Sequence, residues 1–587
     1  MRSLNAIARV HSSAPHRHRE GSLSLKTLQP STLSLALGLI LGGAAVHAQA
    51  QQPPTIGDAV RQAQPLPPPL ARPAPPLPVP GGPAPAALQA LPGGGAAVAV
   101  RQFALEGNRV IDSATLLALL APEQGQTLTL AQLDELATRI TRHYRAKGYF
   151  VARAYIPAQE LSGGTLTIRV VEGHYGRFIL DNRSRVNDGV VQGLLDDIKG
   201  RDIVSLDTLE RAMLIINDTP GARVVQADVM PGEQVGTSDF AIATEATPAV
   251  AGYVLLDNHG SVYTGKQRLS FSADWQSPSG RGERLSASGM ATRHGGLLNG
   301  RLGYSMLAAS DGTRAELAVS RTTYELGDVY RALDATGTAS GAELGLSKPL
   351  KRTRKDSIDA GLSLAYKDLK DEIGSVGTTV GKRLASLTAS VTRRSEGALL
   401  GWYGQGQYSA GLTIGKLDFK DALAEALDAA GDATQGSYAR LNLTATRTSV
   451  LPASFTLSTA IKAQAALGNK KLDGVERMSV AGSGAVAAYP TGELSGDHAA
   501  LLRAELARAL PAQVSASVFA DYGWAKSVNA AAGVDATRSL GDVGLGLSAL
   551  RGGLLLKLQV VHRVSGGPAL SEPVSRTRLL FQAGWVM

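Results

Sequence analysis

The sequence predicts a transmembrane antiparallel β-barrel preceded by two small α+β units, and three observations predict it. From Ala249 to Met587 apolar residues recur at every second position between Gly-, Asn-, Asp- or Ser-rich turns, and helical periodicity almost vanishes. Between Val98 and Thr244 one β-α-α-β-β pattern occurs twice. Near the N-terminus a basic stretch leads into the apolar run Leu33–Val46, the pattern of an export signal.

Composition narrows the function classes. The 587 residues contain no cysteine, which excludes a disulfide scaffold, a cysteine nucleophile and Cys-ligated zinc or iron–sulfur sites. Charged residues make up 19%, below the ~25% of soluble chains, and the 66 glycines exceed the usual ~7%. The net charge is +9, but Met1–Ala48 carries five basic residues (Arg2, Arg9, Arg17, Arg19, Lys26) against Glu20. The remaining excess is modest and unclustered, so no nucleic-acid partner is expected.

Residues 1–48 are assigned to the signal peptide. The apolar run is shorter than the ~20 residues of a span and ends in small residues around Val46-His47-Ala48 and Ala48-Gln49-Ala50, where cleavage is expected. Residues 49–97 form a Pro-rich linker: 14 of the 28 prolines fall between Gln51 and Gly95. Such a stretch favours extended polyproline conformation. A short helix around Ile56–Gln62, at its front, suits a plug or a tether as well as a passive spacer.

The first repeated unit spans residues 98–173. Strand residues Val98–Leu105 end at Gly107-Asn108, and a short helix follows around Ala114–Leu120. A second helix starts at Thr129, with Gln132 completing a capping box; Leu130, Leu133, Leu136, Ile140 and Tyr144 trace its apolar face. Gly148 ends it, and strands Phe150–Ile156 and Thr165–Val171 close the unit. The second unit, residues 174–247, repeats the order: strand Arg177–Leu180, helix Asp188–Ile198, a helix Ser205–Ile216 capped by Ser205, then strands Ala222–Val229 and Ser238–Thr244. A three-stranded sheet of this kind has an open edge to which an extended peptide can add as a further strand.

Residues 248–587 form the barrel. Leu269, Phe271, Ala273 and Trp275 alternate with Ser270, Ser272 and Asp274; Val514, Ala516 and Val518 alternate with Ser515 and Ser517; Leu554, Leu556, Leu558 and Val560 face away from Lys557 and Gln559. Apolar-out, polar-in strands of about ten residues mark a transmembrane barrel. At ~20 residues per strand and turn the segment holds about 16 strands. A secreted β-sandwich or β-solenoid would leave the apolar second face unexplained. The last segment, with Leu579, Phe581, Ala583, Trp585 and Met587 on one face, is expected to be the closing strand.

The order of motifs resembles the POTRA-barrel architecture of two-partner secretion transporters, the haemolysin secretion/activation proteins. Phe103-Ala-Leu-Glu-Gly-Asn108, Tyr144-Arg-Ala-Lys-Gly-Tyr149, Ile156-Pro-Ala-Gln159 and Val171-Glu-Gly173 resemble that family's first POTRA unit. Leu256-Asp-Asn-His-Gly260 and Tyr263-Thr-Gly265 resemble the start of its barrel. Gly482 through Pro490-Thr-Gly-Glu493 and Ser495-Gly-Asp497 resemble the loop that folds back into the lumen, and Phe519-Ala-Asp-Tyr-Gly523 the strand that receives it.

The resemblance implies an outer-membrane transporter with periplasmic POTRA units, which recognises an unfolded exoprotein and passes it through the barrel without nucleotide hydrolysis. It implies substrate recognition on the first POTRA unit, around Phe103, Leu105, Gly107, Asn108, Tyr144, Gly148, Tyr149, Pro157 and Gln159. It implies an inward loop built on Gly482, Gly484, Val486, Ala487, Ala488, Tyr489, Pro490, Gly492 and Glu493, meeting the wall at Phe519, Asp521 and Gly523. Expected partners are a large β-helical exoprotein, outer-membrane lipids and the barrel-assembly machinery. Whether the cargo is an adhesin, a haemolysin, a haem-binding protein or a toxin stays open. An insertase of the same superfamily and a diffusion porin remain alternatives.

No enzymatic chemistry is expected. Gly377–Lys382 and Gly411–Lys416 are one residue short of P-loop spacing and lack the following Ser or Thr. The histidines beyond the signal (His143, His174, His259, His294, His498, His562) show no metal-pair spacing, so neither metal nor cofactor is assigned. One departure stands out. The family's loop carries Val-Arg-(Gly/Ala)-Tyr, whose arginine pairs with the wall aspartate; here the loop reads Val486-Ala487-Ala488-Tyr489. Asp521 is left to be solvated by water or paired by another cation such as Arg477 or Arg503. Solvation is the expectation, with a weaker loop anchor and a leakier channel.

Overall fold

The computed structural model describes residues 53–63, 97–160, 162–201, 203–530 and 535–587. The expected signal and most of the Pro-rich stretch lie outside the described residues. Everything described belongs to one compact unit beginning at His47.

Among the described residues, sixteen antiparallel strands close into a barrel, the first Val250–Asp257 and the last Thr577–Val586. Among the described residues no helix is long and apolar enough to cross a membrane. A closed sheet is the other way to satisfy backbone hydrogen bonds in hydrocarbon, and the alternation of side chains supplies its two faces. Leu269, Phe271, Trp275, Leu317, Val319, Leu362, Leu364, Val518, Leu556 and Leu558 are exposed on the outer wall. Asp521, Asp542, Gln559 and Thr413 are buried on the inner one. Closure rests on five cross-strand partners, from Gln582↔Asp257 to Val586↔Tyr253. The side chain of Asn258 prolongs the seam, donating to the Leu579 carbonyl at 2.9 Å and accepting from the Phe581 N–H at 3.0 Å.

Strand length departs from the expected ten residues. Asp356–Ile373 has 18 residues and Thr378–Leu399 has 22. The reason is visible on the outer face of Asp356–Ile373: after Leu362, Leu364 and Tyr366 come Asp368, Lys370 and Glu372. Lys420 meets Asp368 at 2.7 Å, and Lys370 pairs with Glu372. The sheet therefore continues beyond the apolar belt as a charged rim.

In the first α+β unit, strand Thr165–Val171 lies between Gln102–Glu106, parallel to it, and Arg153–Tyr155, antiparallel. Helices Ser113–Ala118 and Leu130–Ala146 cover one face, with Asp112 and Thr129 as N-caps and Gln132 closing the predicted capping box. Leu133, Leu136, Ile140 and Tyr144 are buried as the periodicity requires. Leu130 is not: as the first helical residue it is 63% exposed. The strand expected over Phe150–Ile156 shrinks to Arg153–Tyr155 because Phe150 and Val151 turn away to pack on the second unit's core. Likewise Val98–Ala99 leaves the main sheet to pair with Thr127–Leu128.

The second unit places Thr237–Ala246 between His174–Arg183 and Ala222–Pro231. Helices Asp188–Asp196 and Leu206–Asp218 pack on it, and Ser205 caps the latter, accepting from the Thr208 N–H at 3.3 Å. Tyr175, Phe178 and Phe240 stack with centroids 5.4–5.9 Å apart at its centre. This unit is fastened to three successive hairpin turns at the barrel end where the first strand begins. The Asn187 N–H donates to the Gly280 carbonyl at 2.7 Å. Arg211 donates to the carbonyls of Asp311 and Pro349. Arg352 grips Asp218 with two bonds of 2.6 and 2.8 Å.

Removing Trp585–Met587 deletes two of the five closure partners, Trp585↔Val254 and Val586↔Tyr253. The truncated chain is expected to be absent from the outer-membrane fraction and to lose the heat-shifted migration of a folded barrel on gels.

Candidate functional site

Two parts of the chain fill the barrel lumen, and a third, the first α+β unit, carries the residues expected to meet substrate. The larger of the two is the segment 468–497, between strands Phe455–Leu467 and His498–Leu510. It folds back inside, and its tip is among the most buried parts of the molecule: Val480, Val486, Ala488 and Tyr489 have no exposed surface. A tight turn shapes the tip, with the Gly482 N–H donating to Val486, and Val486 in turn to the Val480 carbonyl, both at 3.1 Å. Gly482 takes φ +109°, and a Cβ there would sit 2.4 Å from Thr491. Small residues let the tip lie flat on the wall, where it packs against Leu501, Phe519, Leu540, Val561 and Leu580.

Two acids of the loop motif fix its base. Glu493 accepts from the backbone N–H groups of Leu570 and Ser571 and from Arg538 at 2.6 Å. Asp497, fully buried, accepts from Leu472 and Val528, both at 2.7 Å, and from Arg477 at 3.2 Å. Tyr489 points its hydroxyl at the carbonyls of Ser565 (2.6 Å) and Gly567 (2.8 Å), while the Arg563 guanidinium lies 4.5 Å over its ring. Arg578 donates to the carbonyls of Ala487 (3.0 Å) and Tyr489 (2.7 Å). Gly484 and Gly492 serve the turns, the latter at φ +92°, and Pro490 follows the anchored tyrosine.

The expected solvation of Asp521 is corrected by the structure. Arg503, directly opposite on the neighbouring strand, places Nε 2.9 Å from its carboxylate. Arg477, the other candidate, is taken by Asp497. The cation that pairs Asp521 thus stands on the wall and not on the loop. On its other side Asp521 faces Asp542, which accepts the Ala488 N–H at 2.6 Å. Ala487 is itself buried and leaves no room for a longer side chain. Sequence reading missed Asp542, Arg563 and Arg578, because cross-strand register between segments over 50 residues apart decides their positions. Gly523 makes room for the loop: a Cβ there would lie 2.8 Å from Val480 Cβ. Phe519 fills the space over Gly544.

The second part is a helix, Ile56–Gln62, inside the barrel at the end away from the α+β units. Its first N–H donates to Asp371 at 2.8 Å, and Tyr324 donates to the same carboxylate at 2.7 Å. Its last residue is held twice: Thr264 donates to the Gln62 side chain and Arg268 to its carbonyl, both at 3.0 Å. Arg61 reaches the Gly474 carbonyl, so helix and loop touch. A Cβ on Gly57 would lie 2.9 Å from Gly474.

The third part is the first α+β unit, and here the singled-out residues turn out to be largely architectural. Tyr144 is fully buried, so it has no surface to offer a substrate, and its hydroxyl donates to Glu172 at 2.8 Å. Burial and that hydrogen bond push the phenol far above its ordinary range. Glu172 also accepts from the N–H groups of Arg109 (2.7 Å) and Val110 (2.9 Å). Gly107 sits at φ +87°, where a Cβ would meet the Val170 carbonyl at 2.2 Å. Asn108 ties down the following turn through Ile111 and Ser113. Phe103 and Leu105 pack on the core. Gly148 accepts from the Leu206 N–H at the junction with the second unit, and Tyr149 packs edge-on against Tyr144. Pro157 leads into Gln159, whose amide pairs with both backbone groups of Thr167 at 2.7 and 2.9 Å, acting as a one-residue strand. In the second unit the Arg177 backbone N–H, 2.8 Å from Asp239, helped by its guanidinium, holds the Asp239 carboxyl below its usual range.

The comparisons agree with this layout. Residues 98–173 match the model of the ShlB-type POTRA domain, and residues 236–549 that of haemolysin secretion/activation protein ShlB/FhaC/HecB. The heme/hemopexin transporter protein HuxB of Haemophilus influenzae is 27% identical over 454 residues, 75% of this chain and 79% of that protein. The outer membrane transporter CdiB of Dickeya dadantii is 26% identical over 171 residues, covering 29% and 30%. The solved structure of CdiB from Escherichia coli superposes with a TM-score of 0.70 at 20% identity, over 96% of this chain and all of that one. CdiB from Acinetobacter baumannii gives 0.61 at 16%, over 84% and 90%.

Gly523→Ala and Ala487→Arg are each expected to unseat the loop tip and raise resting conductance in planar bilayers. Arg503→Ala should lower the urea midpoint of barrel unfolding, since stripping one partner from a buried pair costs ~3–5 kcal/mol.

Proposed function

The chain belongs to the haemolysin secretion/activation protein family, and from that membership we propose how its parts divide the work of secretion. It is an outer-membrane transporter of the two-partner secretion type, with POTRA domains in the periplasm and a barrel through which an exoprotein is secreted. An unfolded exoprotein adds an extended segment to a POTRA sheet edge, where backbone bonds give affinity and alternate side chains give selectivity. The first sheet has two edges, Gln102–Glu106 and Arg153–Tyr155; the former suits strand addition better, being five residues long against three, and the Ala154 N–H of the latter is already taken by the Thr141 hydroxyl. The exoprotein then threads the polar lumen once the loop and the Ile56–Gln62 helix yield the space they fill. Folding on the far side supplies direction. No nucleotide site, cofactor or catalytic constellation enters this reading, so the chain works as a conduit and not as an enzyme. Lipids of the outer membrane solvate the wall, and the barrel-assembly machinery inserts it.

The single observation that carries this reading is the coexistence of an internally plugged polar barrel with two POTRA units, the second of them locked to its periplasmic turns. Deleting Val98–Gly173 is expected to abolish secretion of the cognate exoprotein while the barrel still accumulates in the outer membrane. Unchanged secretion would move recognition to the second unit.

The Arg352–Asp218 clasp gives a second test. Arg352→Asp alone should reduce secretion several-fold, and adding Asp218→Arg should restore it. Failure of the exchange to rescue would mean that the clasp does not position the POTRA units.

A further inference from the structure

The outer wall carries one stretch that is shaped unlike a smooth apolar belt. Strand Val514–Lys526, whose inner face bears Phe519 and Asp521, presents the small residues Ala516, Val518 and Ala520 outward between Val514 and the bulky Tyr522. Its neighbours rise on both sides with Leu506 on one and Leu545 and Leu547 on the other. The result is two adjoining hollows of about 530 Å³ each along one strand. From Ala516 to Ala520 the trough runs four residue rises, ~13 Å, close to the ~15 Å depth of one leaflet of a ~30 Å hydrocarbon core.

At one end the trough meets a cation. Arg508 is the direct cross-strand partner of Ala516 and of Phe455, and its guanidinium lies 5.3 Å from the Phe455 ring centroid. It is exposed, two residues before the strand ends at Leu510, at the periplasmic end of the wall. Among the described residues no carboxylate pairs with it. An outward-facing arginine at this level, unpaired and backed by an apolar groove that points into the bilayer, is complementary to a phosphate headgroup carrying acyl chains.

We propose that this trough binds an anionic phospholipid of the periplasmic leaflet, with its phosphate on Arg508 and an acyl chain over Ala516, Val518 and Ala520. The periplasmic level of Arg508 selects a glycerophospholipid over the lipopolysaccharide of the opposite leaflet. A juxtamembrane cation favours anionic lipid by about fivefold.

The test uses the full-length chain, extracted from mixed phosphatidylcholine–phosphatidylglycerol nanodiscs, with retained lipids counted by native mass spectrometry. The parent should retain phosphatidylglycerol in preference to phosphatidylcholine. Arg508→Gln should reduce that preference about fivefold, and Ala516→Leu should lower retention of both lipids by filling the trough. Arg551→Gln, a control at another periplasmic hairpin, should change neither. Heat-shifted gel migration verifies that each variant is folded, and for any variant that is not, Arg508→Met, equally uncharged, and Ala520→Leu take its place. An unaltered headgroup preference in Arg508→Gln, an equal loss in Arg551→Gln, unaltered retention in Ala516→Leu, or release of the lipid by millimolar inorganic phosphate would each overturn the proposal.

Discussion

The rest of the structure depends on one constraint: in hydrocarbon every backbone N–H and C=O must find a partner within the protein. The strands meet it by closing into a barrel, and the short seam between Val250–Asp257 and Thr577–Val586 is where they do. Closure forces the side chains into two populations, one facing lipid and one facing a lumen. A lumen wide enough to pass a chain is also wide enough to leak, so the protein fills it with its own residues. The inward loop and the Ile56–Gln62 helix follow from that requirement as directly as the strands do.

How the loop is held shows a division between geometry and charge. Around Val486 and the anchoring Tyr489, its tip is built of Gly482, Gly484, Ala485, Ala487 and Ala488, which bring the backbone against the wall, and glycines at 482 and 523 remove the atoms that would collide. Charge is supplied from outside the loop tip. Arg578 holds its carbonyls, Asp542 its Ala488 N–H, and Arg503 neutralises Asp521 beside them. With alanine at 487 and 488, the loop tip is thus held by cations on neighbouring strands.

Much of this was legible in the sequence. Period-two alternation marked the wall, and capping residues at Thr129 and Ser205 marked helix starts to within a residue. The partner of Asp521 was not legible with certainty, because which arginine stands opposite depends on the register between strands, and alternation fixes the face of a residue but not its neighbour across the sheet. Strand length escaped for a related reason: the wall continues past the lipid on charged outward residues such as Asp368 and Lys370, where the apolar signal stops. Motif residues of the first POTRA unit were visible as a set, yet Tyr144, Gly107 and Asn108 stabilise turns and core. A recurrent motif reports what the fold needs at least as often as what a substrate touches.

The fastening of the second POTRA unit to the turns at 277–283, 308–313 and 349–354 has a mechanical consequence. All three turns are consecutive, so the unit is cantilevered from one arc of the rim, as a door is hung from one jamb. Any swing has its axis along that arc, and the widest gap opens diametrically across from it. Traffic into the pore is thereby given a preferred azimuth, set by the placement of a few arginines on a circle.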